Sequence, residues 1–252
     1  MEAMRHEPIQ ALQAAARGPA RPAPPRSRLV IAGATGVLGN EVLRRLVGLE
    51  RYGSTEVLAR EPIRAALRSV GGRVVEGDDP AQWAPGAADT GLVLFEPPRL
   101  FYERERALWT PRPEQLPALA RWMRRSGVRT LAVVLPHAQG RLPEALKRGL
   151  ASLDEQAVAS LDFERLLIVR SARQPEPGVA RGPLQATARW MHSVFRYMVP
   201  STEQPVRSVK VAEFVAAALQ DAPRGIHVAA PETVWRAAQG DAREAVRGWL
   251  RL

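Results

Sequence analysis

The chain has 252 residues, of which 46% are hydrophobic and 25% charged, a composition typical of a globular protein with one α/β domain or two small ones. Its net charge of +10 comes from arginines that are scattered and often flanked by acids, as in YERER (102–106), so nucleic-acid binding is not favoured. No apolar run approaches the roughly 20 residues that span a bilayer, and the absence of cysteine excludes disulfides and thiolate catalysis and fits a cytoplasmic protein.

Residues 1–27 are rich in Ala, Pro and Arg, and we expect a disordered arm because repeated prolines interrupt backbone hydrogen bonding. From residue 28 onward, apolar runs alternate with helical patterns. We expect strands at 28–33, 54–60, 72–79, 90–98, 128–136 and 163–171, and helices at 36–49, 61–71, 113–127 and 142–161. This alternation predicts a doubly wound, mostly parallel α/β sheet.

Beyond residue 171 the alternation is looser. We expect a loop at 173–183, a helix at 184–199, a short strand and then a helix at 206–220, a last strand at 225–230, and a helical segment at 231–252 that Gly240 weakens. Residues 28–252 are therefore interpreted as one domain, with a small C-terminal cap at about 173–252.

The sequence GATGVLG (33–39) follows the first strand directly. Gly33 permits a sharp strand-to-helix turn, Gly36 lets the backbone approach a diphosphate, and Gly39 lets the helix pack closely on the sheet. The helix N-terminus offers free N–H groups and the positive end of its dipole to phosphates. The residues expected to contact the diphosphate are Gly33, Thr35, Gly36, Val37, Leu38 and Gly39.

This glycine spacing resembles that of the extended and atypical short-chain dehydrogenases/reductases, especially the NmrA-like NAD(P)-binding proteins. The resemblance extends over about residues 28–230 in element order and is specific at the glycine turn. It implies a Rossmann sheet with strand order 3-2-1-4-5-6, possibly with a seventh strand, and a dinucleotide across the carboxyl ends of the strands.

The residues after the second, third and fourth strands bear on the choice of dinucleotide. Arg60 stands where NAD-specific proteins usually carry an acid, and its guanidinium can bind a 2′-phosphate, so NADP(H) is favoured over NAD(H). Arg64 can assist. In the resembling family an Asp at the place of Asp78 meets the adenine, although GDDP also reads as a turn or a helix cap. The same analogy places Phe95, Glu96 and Pro97 beside the central region of the cofactor.

The resemblance also implies a Tyr-x-x-x-Lys pair after strand five, which exchanges a proton during hydride transfer. The sequence contains no such pair, since Glu56, Arg106 and Ser201 stand four residues beyond its three tyrosines. His137, at the expected carboxyl end of strand five, is a candidate for a substitute acid or base, and Lys147 or the YERER loop (102–106) can complete such a site. An alternative is that His137 is simply a loop histidine. No pair of histidines has metal-ligand spacing, so no metal site is expected.

We therefore expect an NADP(H)-binding Rossmann protein without the standard reductase pair, acting as a cofactor-dependent sensor or binding protein. One alternative is an NADP-dependent oxidoreductase that reduces a small carbonyl compound with a non-standard proton donor. Another is a structural interaction module with a vestigial cofactor site. The expected partners are a dinucleotide and either a small-molecule substrate or a protein.

Overall fold

The computed structural model describes residues 27–63, 69–99, 102–137, 150–172 and 206–251. Strands are β1 (Ser27–Ala32), β2 (Tyr52–Ala59), β3 (Val70–Val74), β4 (Thr90–Leu94), β5 (Thr130–His137), β6 (Arg165–Ala172) and β7 (Gly225–Ala229). Helices are α1 (Gly36–Gly48), α2 (Glu103–Arg106), α3 (Leu116–Arg125), α4 (Leu153–Ala159), α5 (Ser208–Asp221), α6 (Pro231–Ala238) and α7 (Ala242–Leu250), and a 3₁₀ turn covers Pro113–Gln115.

The strands form one parallel sheet of order β3-β2-β1-β4-β5-β6-β7. The predicted α/β class and the order of the first six strands are confirmed, and the last strand is the seventh member of the sheet. The order reverses between β1 and β4, where an open α/β sheet leaves a crevice at the carboxyl ends of its strands.

The central strands β1, β4, β5 and β6 are buried on both faces, which explains why they are largely apolar runs, whereas the edge strands β3 and β7 are mostly exposed or half-buried. In β1, Leu29 and Ile31 point to the face covered by α1, α5, α6 and α7, while Val30 and Ala32 point to the face covered by α3 and α4. Apolar residues of both helical layers are fully buried, including Val42 of α1 on one face and Leu119 of α3 on the other. α1 packs with α5 in the first of these layers, against the sheet.

Several element bounds differ from those predicted. The third strand is Val70–Val74 instead of 72–79, because only the stretch opposite Thr55–Ala59 of β2 finds a partner. The fourth strand ends at Leu94, before the prolines that the prediction had placed inside it. No strand precedes α5, since residues 206–207 lie outside any regular element and the helix begins at Ser208. The short helix α2 was not predicted.

The C-terminal part that is described contributes to both the sheet and a helical layer. β7 pairs with β6, and α5 packs in the same core cluster as α1. The segment 231–252 is divided into α6 and α7 around Gly240, as the sequence indicated. The expected arm, the helix at 184–199, Arg64 and Lys147 lie outside the described residues. Within the described ranges, no helix combines the length and apolarity needed to cross a bilayer.

Candidate functional site

The glycine turn forms a tight cradle between β1 and α1. Gly33 has φ +78° and Gly36 has φ +68°, a backbone region that side chains disfavour. A Cβ on Gly33 would lie 2.0 Å from the Leu94 carbonyl oxygen, and one on Gly39 would lie 2.6 Å from the Ala34 carbonyl carbon. The backbone therefore requires glycine at these places, and it has the strand–turn–helix geometry that the sequence predicted.

The Glu96 carboxylate already lies on this cradle. Its Oε2 accepts a hydrogen bond of 2.5 Å from the N–H of Leu38. A Cβ on Gly36 would lie 2.3 Å from the Glu96 carboxyl carbon, so the missing side chain makes room for this group. Thr35, fully buried, donates its hydroxyl proton to the Glu96 carbonyl oxygen, and this bond holds the Glu96 backbone, two residues beyond β4, against the turn.

A second carboxylate, that of Glu105 on α2, lies beside the first. The N–H of Gly36 donates to its Oε2 over 2.9 Å, and the Asn40 side chain donates to its Oε1 over 2.9 Å. Arg99 donates to the same carboxylate from its backbone N–H, 2.8 Å, and from its guanidinium. Glu105 is 4% exposed, and this network satisfies its buried charge. Two negative groups thus occupy the first turn of α1.

The two carboxyl groups differ in their protonation behaviour. Burial raises the pKa of Glu96, opposed by the N–H groups of the α1 first turn and reinforced by the neighbouring Glu105 charge. Burial also acts to raise the pKa of Glu105, but the hydrogen bonds from Arg99 and Gly36 outweigh it and hold that pKa below its usual value. Glu105 therefore stays ionised at a pH at which Glu96 begins to take up a proton.

The chain after α2 crosses the carboxyl ends of the first two strands. We call residues 107–109 the strap. The N–H of Arg60 donates to Ala107 O over 2.7 Å, the N–H of Trp109 donates to Leu58 O over 2.9 Å, and the N–H of Gly33 donates to Trp109 O over 3.2 Å. The strap ties α2, and with it Glu105, to the edge of the sheet that carries the cradle.

Arg60 and Asp78, both predicted as cofactor-binding residues, form an ion pair of 2.9 Å with each side chain about 50% exposed. Asp78 lies in the loop beyond β3, not at its end, and also accepts a hydrogen bond of 3.1 Å from the indole N–H of Trp109. Because the pair is half exposed, its strength is that of a surface ion pair, and a ligand anion can replace the carboxylate.

The other predicted site residues lie in different surroundings. Val37 is 48% exposed at the start of α1, whereas Leu38 packs partly buried against the core. Phe95 follows β4 and packs against the core on the α3 face. His137 is the last residue of β5, as predicted from the sequence. Among the residues that the structure describes, no cluster of His, Asp or Glu could hold a metal ion.

Comparison with known proteins gives likenesses of fold at low sequence identity. A triphenylmethane reductase from Citrobacter sp., complexed with NADP(H), is 16% identical with a TM-score of 0.48, and the match covers 79% of this chain and 68% of that one. A Rossmann-fold NAD(P)-binding family protein from Shigella flexneri is 16% identical with a TM-score of 0.45, covering 78% and 87%. The enzyme WbmG from Bordetella bronchiseptica, in complex with NAD, is 11% identical with a TM-score of 0.43, covering 86% and 78%. No protein-family model and no curated protein sequence matches the chain.

Sequence reasoning assigned no role to Arg99, Asn40 or the strap, and it named Glu105 only as part of the YERER loop (102–106) that could complete a catalytic site. Glu96 was expected beside the cofactor, but not as an acceptor for the α1 N–H groups. The available signal was the position of the acidic residues: Glu96 lies two residues beyond the end of β4, and YERER places others a few residues further on. In a doubly wound sheet both positions lie at the same edge as the glycine turn.

Proposed function

We propose that this protein binds a nicotinamide dinucleotide at the start of α1, favouring NADP(H), and serves as a cofactor-dependent sensor or binding protein without the usual reductase pair. The observation that carries this proposal is the pair of anions on the cradle. The N–H groups of Gly36 and Leu38 each hold one carboxylate, side by side, in the position that two linked phosphates take at a Rossmann glycine turn.

The residues that would hold the diphosphate are the glycines of the turn and the N–H donors of the first helical turn. A bound nicotinamide would supply hydride-transfer chemistry, but this chain contains no Tyr-x-x-x-Lys pair to exchange the proton that such chemistry needs. Binding is therefore the activity that the residues support. A sensor needs a segment that responds to the occupant, and an occupant that displaced Glu105 from the cradle would act on α2 and the strap that follows it.

The preference for NADP(H) is supported by Arg60, which lies at the end of β2 with a half-exposed guanidinium. A 2′-phosphate can replace Asp78 as its partner, and the doubly charged phosphate is the stronger acceptor. NADH has no such group and gains nothing from this arginine. The two cofactors should therefore respond differently to its removal.

The experiment is a titration of NADPH and NADH followed by tryptophan fluorescence and by calorimetry, with wild type and Arg60→Ala. We expect NADPH to bind more tightly to wild type and to lose roughly tenfold or more in affinity in the variant, with NADH nearly unchanged. Arg247→Ala is the matched control, because Arg247 is also about half exposed and paired with an aspartate, Asp221. Equal losses for both cofactors would remove the basis for the NADP(H) preference.

A second candidate, an interaction module whose cofactor site is vestigial, is favoured by a different observation. The strap is hydrogen bonded to both β1 and β2, and the chain's own side chains satisfy the cradle donors. In that case neither dinucleotide would bind saturably, to wild type or to variants in which the carboxylates are neutralised.

A further inference from the structure

We propose that Glu96 and Glu105 form a built-in competitor for the diphosphate site, so that a dinucleotide binds only when both carboxylates withdraw from the α1 N-terminus. This inference rests on the proposed function and concerns the regulation of that same site. It assigns the side chains of Glu96 and Glu105 as an autoinhibitory element.

The first argument is that ligand and side chains need the same donors. The first turn of a helix has N–H groups without intrahelical partners, and here those of Gly36 and Leu38 are taken at 2.9 and 2.5 Å. Thr35, at the N-cap position, makes no side-chain cap bond to this turn. A diphosphate seated there would have to displace both carboxylates.

The second argument is electrostatic. A diphosphate carries negative charge, and it would enter a partly buried space that already holds two carboxyl groups, one of them almost fully buried. Like charges at contact distance in such surroundings repel strongly, because solvent screens them poorly. The diphosphate and the two carboxylates therefore cannot occupy the cradle together. The apparent affinity for the ligand equals its intrinsic affinity multiplied by the fraction of molecules in which both carboxylates have withdrawn.

The third argument concerns Arg99. Its guanidinium donates to Glu105 and stacks over the Tyr102 ring, 3.7 Å from the ring centroid, while 36% of its side chain stays exposed. When Glu105 withdraws, this cation loses its partner at the mouth of the cradle. An incoming phosphate can replace Glu105, so opening and ligand capture use the same positive charge.

The test uses Glu96→Ala, Glu105→Gln and the double variant of the full chain, with NADPH as the probe in calorimetry. Alanine removes the Glu96 side chain from the cradle, since burial already disfavours its charge and neutralisation alone would leave it in place. Glutamine at position 105 keeps the shape and one acceptor oxygen but removes the charge that Arg99 and the Gly36 N–H hold there. We expect each single variant to bind NADPH about tenfold more tightly than wild type, and the double variant more tightly than either. Glu103→Gln is the matched control, since Glu103 lies on the same short helix with an exposed side chain.

The outcomes separate the two proposals. Equal NADPH affinity for wild type, the three variants and the control would overturn the autoinhibitory role while leaving dinucleotide binding intact. Absence of binding in every protein, including the double variant, would overturn dinucleotide binding, and the autoinhibitory role with it. Circular dichroism melting checks that each variant is folded. If Glu105→Gln fails to fold, Glu96→Ala decides the question, because no ion pair is lost with that side chain among the described contacts.

Discussion

The N-termini of α1 and α4 satisfy their first N–H groups in different ways. In α4, Ser152 accepts from the N–H of Glu155, and the Glu155 side chain accepts from the N–H of Ala151, so every partner lies within four residues. In α1, the acceptors come from Glu96 and Glu105, which are 58 and 69 residues away from their donors. The local cap persists wherever the helix persists, whereas the remote one depends on the position of another segment.

This difference separates a helix end that contributes to stability from one that can exchange its partner. α7 is of the first kind, since Asp241 accepts from the N–H of Glu244 three residues on. The start of α1 has no such local acceptor, and its donors remain available to whatever anion reaches them. The absence of a local cap is what makes a helix terminus usable as a binding site.

Gly33→Ala should have the largest effect, because it removes the turn that presents the α1 donors. The new Cβ would lie 2.0 Å from a backbone oxygen at φ +78°. Left-handed strain and overpacking together should lower the free energy of unfolding by about 3 kcal/mol. Chemical denaturation measures this loss in the free energy of unfolding. Gly48→Ala, at the other end of the same helix and with nothing within 4 Å, is the control and should be neutral or slightly stabilising.

Acidification should separate the two carboxylates of α1. The raised pKa of Glu96 means that it takes up a proton on lowering the pH before an ordinary glutamate does, while the lowered pKa of Glu105 keeps that group ionised. Arg99 keeps its charge throughout. Proton uptake stabilises the closed cradle, in which the pKa of Glu96 is raised, over the open one, in which a solvated Glu96 has an ordinary pKa. NAD⁺ affinity should therefore fall, by up to about tenfold, as the pH falls from 7 to 5. Calorimetry at several pH values measures the slope.

Glu96→Gln provides the control for this pH dependence. The variant has no proton to take up at position 96, so its NAD⁺ affinity should change little over the same range. Because both proteins see the same ligand, any titration of NAD⁺ itself cancels in the comparison. Parallel slopes for the two proteins would show that Glu96 does not govern the cradle.

Ser152→Ala should have the smallest effect, and only on stability. Loss of the local N-cap of α4 should cost about 1 kcal/mol in the free energy of unfolding. NADPH affinity should stay at its wild-type value, because the first N–H groups of α4 are bound by side chains of the same helix end and do not contact the proposed ligand. A change in affinity on removal of this hydroxyl would contradict the division between the two kinds of helix terminus.

The sequence predicts the strands and the glycine turn well because both depend on local pattern. Buried parallel strands are continuous apolar runs, and GATGVLG (33–39) needs its glycines whatever surrounds it. The end of β3 was placed wrongly because it is set by pairing with Ala59, a contact that the local sequence does not encode. The residues around Asp78 look equally suited to a strand end and to a loop.

The occupants of the cradle were less accessible from the sequence. Glu96 and Glu105 reach α1 through the crossover after β4, and their hydrogen bonds depend on the path of that connection. The strap has no pattern of its own, because it pairs through backbone groups that every residue has. The missing reductase pair, by contrast, could be recognised from the sequence because it is a matter of residue identity.

The position of Trp109 gives the molecule an intrinsic optical reporter. Its ring lies edge-on to Trp83 with centroids 4.8 Å apart, and Trp83 lies edge-on to Trp122 at 5.5 Å. Indoles this close share their electronic excitation, so the group should produce a coupled circular dichroism signal whose sign and size follow the angle between rings. Since Trp109 belongs to the strap, that signal records the strap's displacement in the unlabelled protein.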